Sequence, residues 1–172
     1  MSELWDLYDK NLVPLNKTHV RGKPLQNGEY HFVVNILSIN KDGRILVTKR
    51  HPDKNYGGMW EITGGSVLSG EIPLEGAVRE LFEETGLNAE TSELMYTGQI
   101  LREKTGCIHN FYLYKGDFSE KDIVLQESET VDFKIILPDE IYKMAKDGEF
   151  LDFVYNRVKA VYADIFGRGL DK

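Results

Sequence analysis

The stretch GGSVLSGEIPLEGAVRELFEETGL (Gly64–Leu87) crowds glutamates onto a short segment that also carries an apolar stripe. Pro73 suits the first turn of a helix, and Gly86 suits the left-handed residue just past a helix end. The segment therefore predicts an amphipathic helix that is entered from a glycine-rich turn. Acidic crowding of this kind costs stability, so a bound cation is expected to offset it.

The predicted helix separates its apolar residues from its carboxylates. Glu80, Glu83 and Glu84 stand at i, i+3 and i+4, where like charges repel by about 0.2–0.5 kcal/mol per pair. For these three glutamates alone, a solvated acidic face is the plainest interpretation. At 100° per residue the nearly opposite arc carries five apolar residues, which are Leu74, Ala77, Val78, Leu81 and Phe82.

Residues around the helix favour a cation site over a solvated face. Glu71 lies just before the helix, after a glycine-rich turn that lets the backbone fold back toward the acidic arc. Arg79 directly precedes Glu80 and can hold a carboxylate in a fixed orientation. An all-oxygen cluster suits Mg²⁺ or Mn²⁺, which accept phosphate oxygens from a substrate. The pattern indicates transfer of a phosphoryl or pyrophosphate group to water.

The same segment resembles the Nudix box, in which a glycine, a glutamate and the run Arg-Glu-aliphatic-x-Glu-Glu-x-Gly-aliphatic follow one another at fixed spacings. None of the nine positions departs from the pattern, and they are Gly65, Glu71, Arg79, Glu80, Leu81, Glu83, Glu84, Gly86 and Leu87. The resemblance implies an α/β/α sandwich. It also implies Mg²⁺-dependent hydrolysis of a nucleoside diphosphate that is linked to another moiety.

The resemblance also implies roles for individual residues. Glu80, Glu83 and Glu84 are expected to be metal ligands and catalytic groups, and Gly64 is expected to be a further metal contact. Arg79 is expected to support catalysis. The structural positions of the box are Gly65, Glu71 and Gly86.

The rest of the chain is predicted to be strands with few helices, which indicates an α/β (α+β) fold with helices packed on a mixed sheet. Residues 1–28 are predicted to form an N-terminal β-hairpin extension, and residues 29–172 the hydrolase domain. After the box, the sequence predicts a hairpin around Thr105-Gly106 and a strand in TVDFKIIL. Two helices are predicted to close the chain.

Further candidates flank the box on either side. Glu127 and Glu129 precede a predicted strand in a segment that resembles the one supplying a further glutamate in the family; either is a candidate extra ligand or general base. Arg50 and Lys49 are candidates for binding substrate phosphate, and a solvated basic strand end is the alternative. Tyr56 is a candidate for stacking on a base.

The N-terminal residues 4–40 resemble the start of isopentenyl-diphosphate isomerases, which share the Nudix fold. Gly64 and Ser66 stand where those enzymes carry a catalytic cysteine and a histidine, whereas His31 matches the place of one metal histidine. The sole cysteine, Cys107, is expected to be a small buried strand residue. The chain is therefore interpreted as an isomerase-like Nudix hydrolase. An isomerase and a non-catalytic nucleotide-binding module are the alternatives.

The charge and composition of the chain limit the kinds of partner that we expect. The chain has 172 residues and a net charge of −7, which disfavours nucleic acid and anionic membranes as partners. A single cysteine, with no signal-peptide pattern, is typical of a cytoplasmic protein. We expect a small-molecule diphosphate as substrate. The N-terminal extension is expected either to cap the pocket or to form a homodimer contact.

Overall fold

The structure is a computed structural model, and it describes residues 3–167 and 169–170. Within that part of the chain the strands are β1 (Leu4–Tyr8), β2 (Pro14–Val20), β3 (His31–Asn40), β4 (Ile45–Arg50), β5 (Trp60–Glu61), β6 (Thr63–Ser66), β7 (Leu94–Arg102), β8 (Cys107–Gly116) and β9 (Thr130–Ile136). The α-helices are α1 (Pro73–Thr85), α2 (Pro138–Lys146) and α3 (Asp152–Phe166).

The central sheet is mixed, as the sequence predicts. Its strand order is β5-β4-β3-β8-β7, with β6 also paired to β3 and β9 to β4. Strands β3 and β8 run parallel and stay in register from His31 opposite Cys107 to Asn40 opposite Gly116. The other pairs in this sheet are antiparallel. Parallel neighbours need a long crossover, and here that crossover contains α1.

The helices lie on both faces of the sheet because side chains alternate along each buried strand. On β3, Val34 and Ile36 join the core under α1, whereas Leu37 and Ile39 join the core under α2 and α3. Each fully buried aliphatic side chain of this kind contributes about 1.5–3 kcal/mol. This is the predicted α/β/α arrangement. Among the described helices, none combines the length and apolar character needed to cross a membrane.

Helix α1 begins and ends as predicted, but its faces are rotated from the prediction. Gly86 adopts the left-handed conformation (φ 74°), and its N–H donates to the Phe82 carbonyl at 2.8 Å. Phe82, which belongs to the predicted apolar arc, has a side chain that is 55% exposed, whereas Glu84, from the predicted acidic arc, is 3% exposed. Around the helix, Glu84 lies about 60° from the buried Leu81 and Phe82 about 100° away on the other side. The buried arc therefore includes a carboxylate.

The N-terminal strands form a separate two-stranded sheet that packs beside the loop before α1. Asp6 on β1 accepts hydrogen bonds from the Ser69 hydroxyl at 2.6 Å and from the Gly70 N–H at 2.9 Å. Tyr8 and Tyr30 exchange two backbone hydrogen bonds that tie the hairpin to the start of β3. The division into an extension (1–28) and a domain (29–172) stays a prediction, and residues 1–2, 168 and 171–172 lie outside the described residues.

Candidate active site

Arg79 on α1 gathers three carboxylates rather than the single one that the sequence suggested. Its guanidinium donates to Glu71 at 2.7 and 2.9 Å, to Glu80 at 2.8 Å and to Glu83 at 2.9 Å. It also donates to the backbone carbonyl of Ser66 at 2.9 Å. Planar guanidinium groups suit paired contacts of this kind. The loop before α1, the helix and strand β6 are therefore fixed to one another through one side chain.

Two glycines on β6 allow the backbone to approach the acidic residues closely. A Cβ atom on Gly65 would lie 2.2–2.3 Å from the carboxylate atoms of Glu80. A Cβ atom on Gly64 would lie 2.3 Å from the Val34 carbonyl oxygen on β3. Both separations are shorter than van der Waals contact, so a side chain at Gly64 would clash with the backbone of β3, and one at Gly65 would displace the Glu80 carboxylate. The structural role of Gly65 in the box stays a prediction.

A second group of carboxylates is buried next to Arg79. Glu84 accepts a hydrogen bond from the Gly64 N–H at 3.2 Å. Burial raises the pKa of Glu84, and the negative charges of Glu61 and Glu80 raise it further. Burial also raises the pKa of Glu61, although this side chain forms an ion pair with Arg50. We call Glu61, Glu80 and Glu84 the acidic cluster.

The donor set of the acidic cluster fits a hard divalent cation. Among the described residues, no three acidic, histidine or cysteine side chains are arranged as ligands around one point. Arg79 holds oxygens of Glu80 and Glu83. Nevertheless, the cluster concentrates buried oxygen donors whose repulsion a cation would relieve, as Mg²⁺ and Mn²⁺ sites require. Glu80 and Glu84 would hold such an ion, with Glu83 at the solvent edge.

Two members of the acidic cluster, Glu61 and Glu80, line a cavity of about 1070 Å³. Of the candidates that flank the box, Arg50, Tyr56 and Glu129 line this cavity. Lys49 does not line it; its ammonium lies 5.5 Å from the centre of the Trp60 ring instead. Glu127 is exposed and also lies outside the cavity lining.

Glu129 enters the cavity paired with two cations. It forms an ion pair with Lys54, and its carboxylate lies 3.9 Å from the guanidinium of Arg21. Its backbone carbonyl accepts a hydrogen bond from the His51 N–H at 2.9 Å, which fixes the loop before β9 against the end of β4. Burial lowers the pKa of Lys54. The sequence pointed to Glu129 but not to Lys54 or Glu61.

His31 and Cys107 form a further part of the cavity wall. The Cys107 Sγ lies 3.4 Å from the Nε2 of His31, and the Trp5 ring stacks on the His31 ring at 3.9 Å. The expectation of a buried Cys107 in the strand is wrong, since its side chain is half-buried at the cavity. The cause is the position of Cys107 at the first rung of β8, where the sheet ends. Burial raises the pKa of this thiol.

Comparisons with known proteins identify the family to which this chain belongs. A NUDIX domain model matches residues 29–155. The chain is 30% identical over 155 residues to an uncharacterised Nudix hydrolase of Listeria monocytogenes, which covers 89% of this chain and 90% of the relative. The chain therefore belongs to the Nudix family. Its relatives at this coverage are Nudix hydrolases, so it is an enzyme of that kind.

Solved structures show the same fold. A crystal structure from Deinococcus radiodurans matches with a TM-score of 0.75 at 21% identity, covering 93% of this chain and 99% of that one. A bifunctional NMN adenylyltransferase/ADP-ribose pyrophosphatase from Francisella tularensis, solved with AMP and a Mn ion, matches with a TM-score of 0.65 at 20% identity. That match covers 83% of this chain and 43% of the Francisella chain.

Proposed function

We propose that this enzyme hydrolyses the P–O–P linkage of a small nucleoside diphosphate derivative, with Mg²⁺ or Mn²⁺ as its cofactor. The observation that carries the proposal is that Glu61 and Glu80 of the acidic cluster line a cavity that also holds Arg50 and Lys54. A bound divalent ion supplies a Lewis acid and a template for the phosphate oxygens. The Mn ion in the Francisella structure supports the choice of metal.

The chain's own residues would supply orientation and proton transfer. Arg79 holds Glu80 and Glu83 in place, and Gly65 keeps the backbone close to Glu80. Glu129 lines the cavity, so we assign it, rather than the exposed Glu127, as the base that takes a proton from the attacking water.

The cavity size and charge support a nucleotide-sized diphosphate. Its volume lies at the upper end of the usual range for small-molecule pockets, about 300–1,000 Å³. Cationic side chains at the wall, including Arg50 and Lys54, can attract phosphate oxygens in a protein whose net charge is −7. The ADP-ribose pyrophosphatase named among the structural neighbours acts on a compound of this class.

The test is product release from a panel of diphosphate compounds with and without Mg²⁺. ADP-ribose, nucleotide sugars, dinucleoside polyphosphates and nucleoside diphosphates would be compared for the wild type, Glu84→Gln and Glu83→Gln, with Glu127→Gln as the matched control outside the cavity. We expect Mg²⁺-dependent cleavage that both box variants lose and the control keeps. Tight binding without turnover of any compound would instead favour a non-catalytic nucleotide-binding module.

Isopentenyl-diphosphate isomerisation is the second candidate, because Cys107 and His31 line the same cavity as Glu61 and Glu80. Against it, Gly64 and Ser66 occupy the positions where the isomerases carry their cysteine and histidine. Formation of dimethylallyl diphosphate from isopentenyl diphosphate would establish this activity and displace the hydrolase proposal. The placement of this chain among the isomerase-like Nudix hydrolases is likewise a proposal, and it rests on the resemblance of residues 4–40.

The proposal for location rests on composition, and the proposal for the N-terminal hairpin rests on its place at the cavity. We propose a cytoplasmic enzyme without nucleic-acid or membrane partners, as the net charge and the single cysteine favour. The hairpin contributes Trp5 to the cavity wall, which supports its role as a cap. A homodimer contact through the same hairpin is the alternative, and sedimentation of the purified protein distinguishes the two.

A further inference from the structure

Arg102 differs from the other arginines of the cavity, because none of the described acidic residues forms an ion pair with it. Among the described residues, the cavity arginines Arg21, Arg50 and Arg79 each form an ion pair with a carboxylate. Arg102 ends β7, is half-buried and lines the cavity, but no described carboxylate pairs with it. Its guanidinium lies over the Phe153 ring, 4.1 Å from the ring centre. A half-buried charge held in this way retains free N–H donors.

The described groups around Arg102 place no carboxylate in an ion pair with it. Burial and the positive charge of Arg102 together lower the pKa of His109 to about 4, so His109 is neutral near pH 7. Helix α3 begins beside Phe153, where its dipole adds positive potential, and Asp152 lies in the same first turn. Lys104 and Glu103 also line the cavity, and both are exposed.

The position of Arg102 is remote from the acidic cluster but inside the same cavity. Gly64 on β6 contacts Glu84 and pairs with Asn35 on β3. Arg102 on β7 pairs with Cys107 on β8, and Cys107 pairs in turn with His31 on β3. Four residues along a strand and three strand spacings separate the two backbones by roughly 20 Å. Arg102 and Gly64 both line the cavity, so the Arg102 guanidinium shares one cavity with the backbone that contacts Glu84.

We propose that Arg102 binds a second oxyanion of the substrate, a phosphate or a carboxylate, at the end of the cavity opposite the scissile diphosphate. A guanidinium whose face is held by an aromatic ring directs its N–H edge to an oxyanion in a paired contact. The inference rests on the proposed hydrolase function and narrows its substrate class. Substrates would carry a charged group on the moiety beyond the diphosphate.

The alternative is that Arg102 only covers the Phe153 ring from solvent. In that case a change of Arg102 would alter stability, and it would alter the reaction of charged and uncharged compounds equally. The two interpretations therefore differ in selectivity rather than in activity.

The experiment compares matched pairs of diphosphate compounds that differ in one remote charged group. NADPH with NADH, and coenzyme A with dephospho-coenzyme A, test a phosphate; UDP-glucuronate with UDP-glucose tests a carboxylate. Wild type, Arg102→Gln, Arg102→Lys and the exposed control Arg44→Gln would be assayed with Mg²⁺. Thermal unfolding of each variant confirms that it folds.

We expect the wild type to favour the charged member of at least one pair by about tenfold or more in kcat/KM, mainly through KM. Arg102→Gln should abolish that preference, Arg102→Lys should keep part of it because it retains charge without the planar fork, and Arg44→Gln should keep all of it. Equal reaction of both members in every pair would overturn the proposal, as would an equal loss on both members in Arg102→Gln.

The outcome for the oxyanion site can be separated from the outcome for the hydrolase. If no compound is cleaved, the proposed function fails, and equilibrium binding of the same pairs then decides the oxyanion site. Preferential binding of the charged member that Arg102→Gln loses would support the site. Equal binding of both members, or no binding of any compound, would overturn it.

Discussion

The guanidinium of Arg79 donates two hydrogen bonds to the carboxylate of Glu71, at 2.7 and 2.9 Å, across the turn that leads into α1. Because the same guanidinium also holds Glu80 and Glu83, the position of the loop and the orientation of two expected ligands depend on one residue. Ion pairs on exposed surfaces contribute little, but this group is largely shielded, with side chains 13–22% exposed at Arg79, Glu71 and Glu80.

Replacing Arg79 by lysine should lower turnover while preserving the fold. Lysine keeps the charge but cannot make the paired contact with Glu71, so the residues that depend on it lose their orientation. We expect kcat/KM to fall about 10–100-fold, the usual effect of removing a partner that orients metal ligands. Steady-state kinetics over a range of Mg²⁺ concentrations measures this, with the exposed Arg44→Lys as control. Unchanged kinetics in Arg79→Lys would contradict the orienting role.

Replacing Glu84 by glutamine should abolish turnover and stabilise the metal-free protein. Burial and the negative charges of Glu61 and Glu80 raise the pKa of Glu84 to about 8, so without metal Glu84 adds its own charge to the acidic cluster only above that pH. Glutamine keeps an acceptor for the Gly64 N–H and removes that charge, so the comparison is made at about pH 9. We expect the Tm without Mg²⁺ to rise by about 2–4 °C for each kcal/mol of repulsion removed, and the rise in Tm on adding Mg²⁺ to disappear. Thermal unfolding with and without Mg²⁺ measures both effects.

Glu83→Gln serves as the comparison, since the Glu83 side chain is 43% exposed. It should lose turnover with little change in Tm without metal, because exposed substitutions alter stability by about 0.5 kcal/mol or less. A lower Tm of metal-free Glu84→Gln than of wild type would show that the acidic cluster is not under repulsion.

Stability should fall in mild acid through two buried histidines. Burial lowers the pKa values of His31 and His109 to about 4, from 6.5 in the unfolded chain. A lowered pKa in the folded state favours the neutral form, so this stability is fully present above pH 6.5 and is lost as the pH falls toward 4. At pH 5 each histidine should cost about 2 kcal/mol relative to pH 7.5.

Urea unfolding at pH 7.5 and pH 5 tests this expectation. His109→Gln should be less stable than wild type at pH 7.5, and the difference should shrink by about 2 kcal/mol at pH 5 because glutamine does not titrate. His51→Asn, in the loop after β4, should track the wild type at both pH values. If the unfolding free energies of His109→Gln and wild type differed by the same amount at both pH values, His109 would not be the source of the lower stability in acid.

Removing the Asp6 carboxylate should loosen the loop before α1. Asp6→Ala leaves the Ser69 hydroxyl and the Gly70 N–H without their acceptor, and hydrogen bonds to charged groups contribute about 1.5–3 kcal/mol. We expect a loss of stability of this order and a higher Mg²⁺ requirement, measured by urea unfolding and Mg²⁺ titration of activity. Asp42→Ala, in an exposed turn, is the control. If Asp6→Ala and the wild type required the same Mg²⁺ concentration for activity, the hairpin would have no effect on the metal site.

The sequence predicted the elements whose cause is local. The bounds of α1 follow from Pro73 and Gly86, and the fixed spacing from Gly65 to Glu84 predicted the residues around Arg79. The apolar and acidic arcs of α1 do not coincide with its buried and exposed faces, since Phe82 is exposed and Glu84 is buried.

Long-range pairing supplied what the sequence did not show. Glu61 lies close enough to Glu84 for its charge to raise the pKa of Glu84, and Cys107 meets His31 across 76 residues of chain. Two loop glutamates two positions apart, Glu127 and Glu129, carry the same sequence signal, and only the turn geometry directs Glu129 into the cavity.

The parallel pair β3 and β8 sets how fast this protein can fold. Its rungs join residues 76 positions apart, such as His31 and Cys107, and the intervening chain carries the whole box. Closing so long a loop lowers the entropy of the chain before the paired strands can contribute any stabilisation. We therefore expect refolding in about milliseconds to seconds, not microseconds, with the centre of the sheet and the acidic helix acquiring protection from hydrogen exchange in the same cooperative step.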